Sequence, residues 1–200
     1  MKHSIINEIN EVLEQNSGNA IETLNKIRAL ITSEHKPDFT EIKDGDYFTY
    51  KGIEFIRLGK EQGGIFCITA KIWKTLPFDE YSCCNNFKEA SICKVLNSEF
   101  CPLLDDNDLL TYQMDLTADN GDKTYGSLRV HVGLLSADLY RKYRDYIPSY
   151  NDWIWFCTPW YCSNNVGYIC GGVYKHGELG ASIADISYGV APTVIFKANV

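Results

Sequence analysis

The sequence predicts an α+β domain preceded by a short helical hairpin. Apolar residues recur at helical spacing in residues 4–32 and in two later, shorter stretches. Elsewhere short apolar or alternating runs are bounded by Gly and Asn, which is the pattern of strands and turns. Helices and strands do not alternate regularly, so a parallel βαβ sheet is not expected. The 200 residues with 45% hydrophobic content suffice for one packed domain with a small appendage. The expected division is residues 1–36 as the helical segment and 37–200 as the main domain.

In the first segment Ile5, Ile9 and Val12 fall at spacings of 4 and 3, and Ala20, Leu24, Ile27 and Ile31 at 4, 3 and 4. Asn16-Ser17-Gly18-Asn19 stops the first helix and caps the second, giving a hairpin or a broken helix. So short a pair cannot bury its stripes alone. It must dock on the main domain or on other copies of itself, and a homo-oligomer through residues 4–32 is one expectation. Pro37 bars helix continuation.

Residues 46–58 read as two strands around a Lys51-Gly52 turn, Glu61-Gln62-Gly63-Gly64 as the next turn, and 65–73 as a third strand. Cys67 there reads as a small buried hydrophobe. Residues 91–100 read as a helix burying Ile92, Val95, Leu96 and Phe100. A long polar connection follows, with Asp105-Asp106-Asn107-Asp108 and Asp119-Asn120-Gly121-Asp122. Ser136 is the expected N-cap of a helix from Ala137 to about Tyr146.

The last quarter is the most informative. It opens on Trp153-Ile154-Trp155-Phe156-Cys157-Thr158-Pro159-Trp160 and closes on Tyr188-Gly189-Val190-Ala191-Pro192-Thr193-Val194-Ile195-Phe196, both of which read as buried strand. Between them lies a run rich in Tyr, Ser, Asn, Gly and Cys. Tyr supplies contact area at low entropy cost, and Ser, Asn and Gly supply adaptable hydrogen bonding. The run therefore points to recognition before catalysis.

A net charge of -7, with no basic cluster among aromatics, argues against nucleic-acid binding. No apolar run is long enough to cross a bilayer, so no membrane insertion is expected. The start, Met1-Lys2-His3-Ser4-Ile5-Ile6-Asn7-Glu8, turns acidic at once and lacks a signal-peptide core. A cytoplasmic or virion location is expected. No Cys-x-x-Cys pair occurs among the eight cysteines, so a zinc ribbon is not expected, and the thiols are expected to be free.

Four pieces of the chain occur in a recognisable order. They are the Ser91-x-x-Lys94-x-Leu96-Asn97-x-x-Phe100 helix, the Leu134-Leu135-Ser136 turn into a helix bearing Tyr140 and Tyr143, the Trp153-x-Trp155 strand ending in Thr158-Pro159, and Gly189-Val190-Ala191-Pro192. Together, over about residues 42–197, they resemble a domain of unknown function from gut bacteria and their phages that has a C-type-lectin-like fold. The chain departs from it at Phe156-Cys157-Thr158, where Leu-Arg-Ser is usual, and at Ala191, where Arg is usual. Some proteins of this fold are variable proteins of diversity-generating retroelements, in which adenines near the 3′ end of the gene are randomised. The resemblance implies that Asn-type codons then become many residues, but never Lys, Glu, Gln, Met or Trp. Between 161 and 187 only Lys175 and Glu178 belong to that excluded set.

The resulting expectation is a non-enzymatic ligand-binding protein without a cofactor. Trp160, Tyr161, Ser163, Asn164, Asn165, Tyr168, Tyr174 and His176 would form the contact surface, and Trp153, Trp155, Val190, Pro192 and Val194 the frame. The partner would be a protein or glycan on a host or target surface, met by a phage receptor-binding or retroelement-diversified protein. The alternative is an oxidoreductase. Formylglycine-generating enzymes share the general fold and use two cysteines at a spacing similar to that of Cys157 and Cys162. A calcium loop at Asp115-x-Thr117-x-Asp119-Asn120-Gly121 lacks its twelfth-position glutamate, replaced by Gly126; the acidic run Asp105 to Asp108 could also gather a cation, but both read as solvated loops, and no metal site is expected. The scattered histidines His3, His35, His131 and His176 make no catalytic pattern, and a structural role is expected for His131.

Overall fold

The computed structural model describes residues 36–80, 84–163, 168–172 and 177–198, the strand at 168–172 by its backbone alone. Residues 4–32, with the expected helical hairpin, lie outside the described residues. The chain divides into two compact units, Met1–Pro37 with Thr49–Ile53, and Asp38–Phe48 with Glu54–Val200.

The described residues are mixed α+β, mostly strand, with two short helices. Strands β1 (Tyr47–Tyr50), β2 (Ile53–Glu61), β3 (Gly64–Thr69), β7 (Val132–Gly133) and β12 (Thr193–Lys197) form one sheet, in the order β1-β2-β3-β12-β7. A second sheet has the order β10-β9-β8-β11-β4, from β4 (Lys74–Pro77), β8 (Ile154–Pro159), β9 (Tyr168–Gly172), β10 (Leu179–Ile183) and β11 (Ser187–Val190). A separate hairpin pairs β5 (Tyr112–Asp115) with β6 (Ser127–Val130).

β3 is buried along its whole length between β2 and β12. This explains its continuous apolar run, because a strand covered on both faces has no reason to alternate. Cys67 is fully buried there. The β2–β3 register slips between Arg57 and Gly59, and a Cβ at Gly59 would stand 2.7 Å from the Tyr143 ring. The bulge thus lets the backbone pass under an aromatic ring that a larger residue would displace. Arg57, almost wholly buried, donates from Nε to Asp44 Oδ1 at 2.7 Å and from Nη1 to the carbonyls of Phe39 (3.3 Å) and Ile42. One guanidinium so fixes the chain from 39 to 44 over β2.

Two expected strands divide. The strand expected over 65–73 stops at Thr69, and by Lys74 the chain is in the second sheet. The segment 188–196 breaks at Ala191-Pro192 into β11 and β12, one in each sheet. Proline has no N–H for a central ladder, so the crossing falls there. The two crossings run side by side: Thr69 N–H donates to the Pro192 carbonyl at 3.0 Å and Trp73 N–H to the Val190 carbonyl at 2.9 Å.

The first helix, α1 (Ser91–Val95), passes into a wider π turn (Leu96–Phe100) and a 3-10 turn (Cys101–Leu103). Ile92, Leu96 and Phe100 are buried at steps of four, longer than the 3.6-residue turn, and the widened turn keeps them on one face. The expected buried face needs one change: Val95 is half-buried, and Cys93 is buried in its place. The second helix, α2 (Ala137–Tyr143), begins at Ser136, whose Oγ accepts from Leu139 N–H at 3.1 Å. It ends as a 3-10 turn over Arg144–Tyr146. The connection expected to be polar and loop-like contains β5 and β6, with Tyr112 and Met114 buried.

Two aromatic groups centre the core. Phe39 and Phe196 stack at 4.2 Å, with Phe55 edge-on to Phe196 at 5.4 Å. Trp155 lies 5.7 Å from Phe78 and 4.9 Å from Tyr188, and its Nε1–H donates to the Leu76 carbonyl at 2.9 Å. The edge-on pairs Phe55–Phe196, Phe78–Trp155 and Trp155–Tyr188 have the geometry that ring quadrupoles favour, and the buried indole N–H has the partner it needs. Trp155, Val190, Pro192 and Val194 are buried and Trp153 is half-buried. No described helix is long and apolar enough to cross a membrane.

Candidate functional site

β8 is buried at every position from Ile154 to Pro159, and the next residue, Trp160, stands 45% exposed. A large aromatic at the end of a fixed strand is a preorganised contact, because its backbone loses no further freedom on binding. The Asp119 N–H donates to the Pro159 carbonyl at 2.9 Å and braces that strand end from the side.

Tyr161 and Ser163 follow, both half-buried. Their backbone is held from beneath. Asn85, with no exposed surface, donates from Nδ2 to the Tyr161 carbonyl at 2.7 Å and accepts the Tyr125 hydroxyl proton on Oδ1 at 2.6 Å. The Tyr125 oxygen in turn accepts from Ser163 N–H at 2.9 Å. A chain of buried, satisfied hydrogen bonds specifies one conformation, since breaking any member strands a polar group. Burial pushes the Tyr125 hydroxyl above its ordinary value and keeps it protonated, as this role requires.

Of the other expected contact residues, Asn164, Asn165, Tyr174 and His176 lie outside the described residues. Tyr168 begins β9, of which the backbone alone is described. The run 161–187, expected to be adaptable throughout, contains the antiparallel β9–β10 hairpin, registered from Tyr168 opposite Ile183 to Gly172 opposite Leu179. Several of its residues are also fixed by packing. A Cβ on Gly180 would fall 2.5 Å from the Trp153 ring, Ala184 is fully buried, and the Gly177 carbonyl accepts from the Tyr140 hydroxyl at 3.0 Å.

Beside this platform lies a cleft of about 380 Å³ between β5 and the start of α2. Phe66, Met114, Ala137 and Ile195 give it an apolar floor, and Glu61, Asp115, Asp119, Asp138 and Arg141 a charged wall. Arg141 is held between Asp119 (Nη2 to Oδ1, 3.0 Å) and Asp138 (Nη1 to Oδ1, 2.8 Å). Such a volume, with a few placed polar groups, suits part of a small ligand or a side chain of a partner. Asp119 belongs to both features, since its carboxylate holds Arg141 while its N–H braces Pro159.

In and beside the stretch expected to be a solvated loop, Asp119 holds Arg141, while Asp115 and Asp122 turn into their own loops. Asp115 Oδ1 accepts from Thr117 N–H (2.8 Å) and Oγ1–H (2.6 Å), and Asp122 Oδ1 from Thr124 N–H (2.9 Å) and Oγ1–H (2.6 Å). The Thr124 hydroxyl, then its N–H, lowers the Asp122 carboxyl below its ordinary range. These are Asx and ST turns, which shape loops. Cys157 and Cys162 are thiols. Cys157 is fully buried, while burial first, and then the Asp122 carboxylate, push the Cys162 thiol up. Thiolate chemistry needs the opposite shift.

Asn85, Tyr125, Asp119 and Arg141 are the site residues that sequence reasoning missed. Apart from the Arg141–Asp138 pair three residues apart, each meets its partner across a long stretch of chain, so local spacing does not mark the site. Comparison with family models, curated proteins and solved structures finds no match.

Proposed function

We propose that the chain is a ligand-binding domain of the C-type-lectin-like kind, presenting Trp160, Tyr161 and Ser163 on a fixed base. The surface continues through Asn164, Asn165, Tyr168, Tyr174 and His176. The partner is a protein or glycan on a target surface, as for a phage receptor-binding protein or a variable protein of a diversity-generating retroelement. One observation carries the reading: an exposed tryptophan ends a wholly buried strand, and the next residues are clamped through their backbone by Asn85 and Tyr125. The clamp holds main-chain groups at 161 and 163.

The test pairs binding with gene sequence. Wild-type protein and a W160A/Y161A variant are compared on a glycan array and on intact gut-bacterial cells. Loss of about thirtyfold in affinity, roughly 2 kcal/mol for a tryptophan anchor, is expected with melting temperature unchanged. Unaltered binding by the variant overturns the assigned surface. In sequences of the gene from many isolates, substitutions should concentrate at adenine-containing codons over 161–187 and spare Gly180 and Ala184. An even spread of changes along the gene removes the retroelement reading.

A further inference from the structure

We propose that Cys101, Asp106 and His131 form a binding site for a zinc-class divalent ion, with three protein ligands and one position open to solvent. The three come from separate places in the fold. Cys101 starts the 3-10 turn after the π turn, Asp106 lies in the turn before β5, and His131 sits where β6 gives way to β7. One donor atom from each lies within 4.8 Å of the other two, and among the described residues this is the one such group of His, Cys and carboxylates.

The spacing fits tetrahedral coordination. His131 Nδ1 and Asp106 Oδ1 are 3.4 Å apart, and Cys101 Sγ and Asp106 Oδ1 3.9 Å. Zinc bonds of about 2.0–2.3 Å imply ligand-to-ligand edges of roughly 3.3–3.7 Å. The two edges to Asp106 are thus within a few tenths of an ångström of that range, the third, between Cys101 and His131, is within 4.8 Å, and the Asp106 side chain is 73% exposed and has room to adjust. The backbone beneath is firm. The Asp108 carbonyl accepts from Lys197 N–H (2.8 Å), the Asn107 carbonyl from Lys197 Nζ (2.7 Å), and Leu110 N–H donates to the Ile195 carbonyl (2.8 Å), tying this turn to β12.

His131 is also oriented as a ligand would be. Its Nε2 shares a short hydrogen bond with the Thr111 hydroxyl. With Thr111 accepting from Nε2–H, the lone pair is on Nδ1, facing Asp106 and Cys101. Metal-bound histidines carry such a partner on the second ring nitrogen. A thiolate, an imidazole and a carboxylate suit zinc and its neighbours, whereas calcium and magnesium take oxygen donors. Thiolate and carboxylate together bring two negative charges to a doubly positive ion. Without a cation, burial first and then Asp106 hold the Cys101 thiol above its ordinary value. On binding, the S–H bond breaks, the S–Zn bond forms and the proton leaves to solvent.

The full chain is reduced, stripped with chelator and titrated with zinc chloride by calorimetry, then with cobalt(II) by absorbance. One ion per chain is expected, with a higher melting temperature and, for cobalt, a thiolate-to-metal charge-transfer band. C101S and H131Q should each weaken binding at least tenfold, and T111V roughly tenfold, the usual loss for an outer-shell partner. C84S should bind as wild type, and calcium chloride should not raise the melting temperature. Absence of stoichiometric uptake, or uptake unchanged in C101S and H131Q, overturns the site. If C101S does not fold, a wild-type cobalt complex without the thiolate band overturns it equally.

Discussion

The side-chain amide of Asn85 donates to the main-chain carbonyl of Tyr161 at 2.7 Å, across 76 positions of sequence. Its oxygen is engaged by Tyr125, so this one residue joins two distant segments beneath the proposed contact surface. Asn85→Ala would remove the amide donor to the Tyr161 carbonyl and one acceptor of the Tyr125 hydroxyl, which keeps the Ser163 carbonyl at 2.9 Å. The expected cost is about 1–3 kcal/mol, with faster amide exchange confined first to residues around 161–163. Hydrogen-exchange mass spectrometry with a denaturant titration checks this. Unchanged protection at 161–163 would show that the segment is held by other means.

Gly180 passes beneath Trp153, where an added Cβ would meet the ring at 2.5 Å. Gly180→Ala should destabilise by about 1–3 kcal/mol through overpacking. Gly180→Ala with Trp153→Leu should lose less than the sum of the single changes, because the smaller side chain removes the clash. A strictly additive double-mutant cycle, read by chemical denaturation, would contradict the contact.

Alkaline pH should weaken the fold. Burial raises the Cys67 thiol well above its ordinary 9.0, and it raises the Tyr112 and Tyr150 hydroxyls above 10.0. Above pH 9 the unfolded chain therefore loses protons that the folded chain retains. Stability is complete below that value and falls as pH rises, by up to about 1.4 kcal/mol per pH unit for each such group. Melting temperature under reducing conditions should be level near pH 7–8.5 and decline towards pH 11. Cys67→Ala should soften the onset of the decline. A level profile to pH 11 would contradict the burial of these groups.

Ser136 caps α2 through Leu139 N–H and lines the cleft. Ser136→Ala should cost about 1 kcal/mol, and Ser136→Asp, which can still accept that hydrogen bond, should recover most of it. Thermal melts of the two variants compare directly; equal losses would mean that the cap contributes little.

Much of the strand pattern was legible. The Lys51-Gly52 and Gln62-Gly63 turns, the buried β8 and the Ser136 cap follow from local residues. The sheet crossing at Pro192 had a signal in the missing N–H, but a continuous apolar run hid it. β5 was harder, because Tyr112 and Met114 alternate with Gln113 and Asp115 for only four residues amid aspartates. The anchors Asn85 and Tyr125 lie far from Tyr161 in sequence, and Cys101, Asp106 and His131 show no ligand spacing. Tertiary contact alone brings each of these groups together.

Strand β12 is flanked on both sides, by β3 and β7. It is also translated after every residue between 161 and 187. A polypeptide whose reading frame is lost in that interval therefore reaches the end of synthesis without the strand that fills its first sheet. It would expose the apolar edge of β3 to proteases and chaperones, while in-frame substitutions at the surface pass. Folding would then act as a proofreader of the message, discarding broken copies.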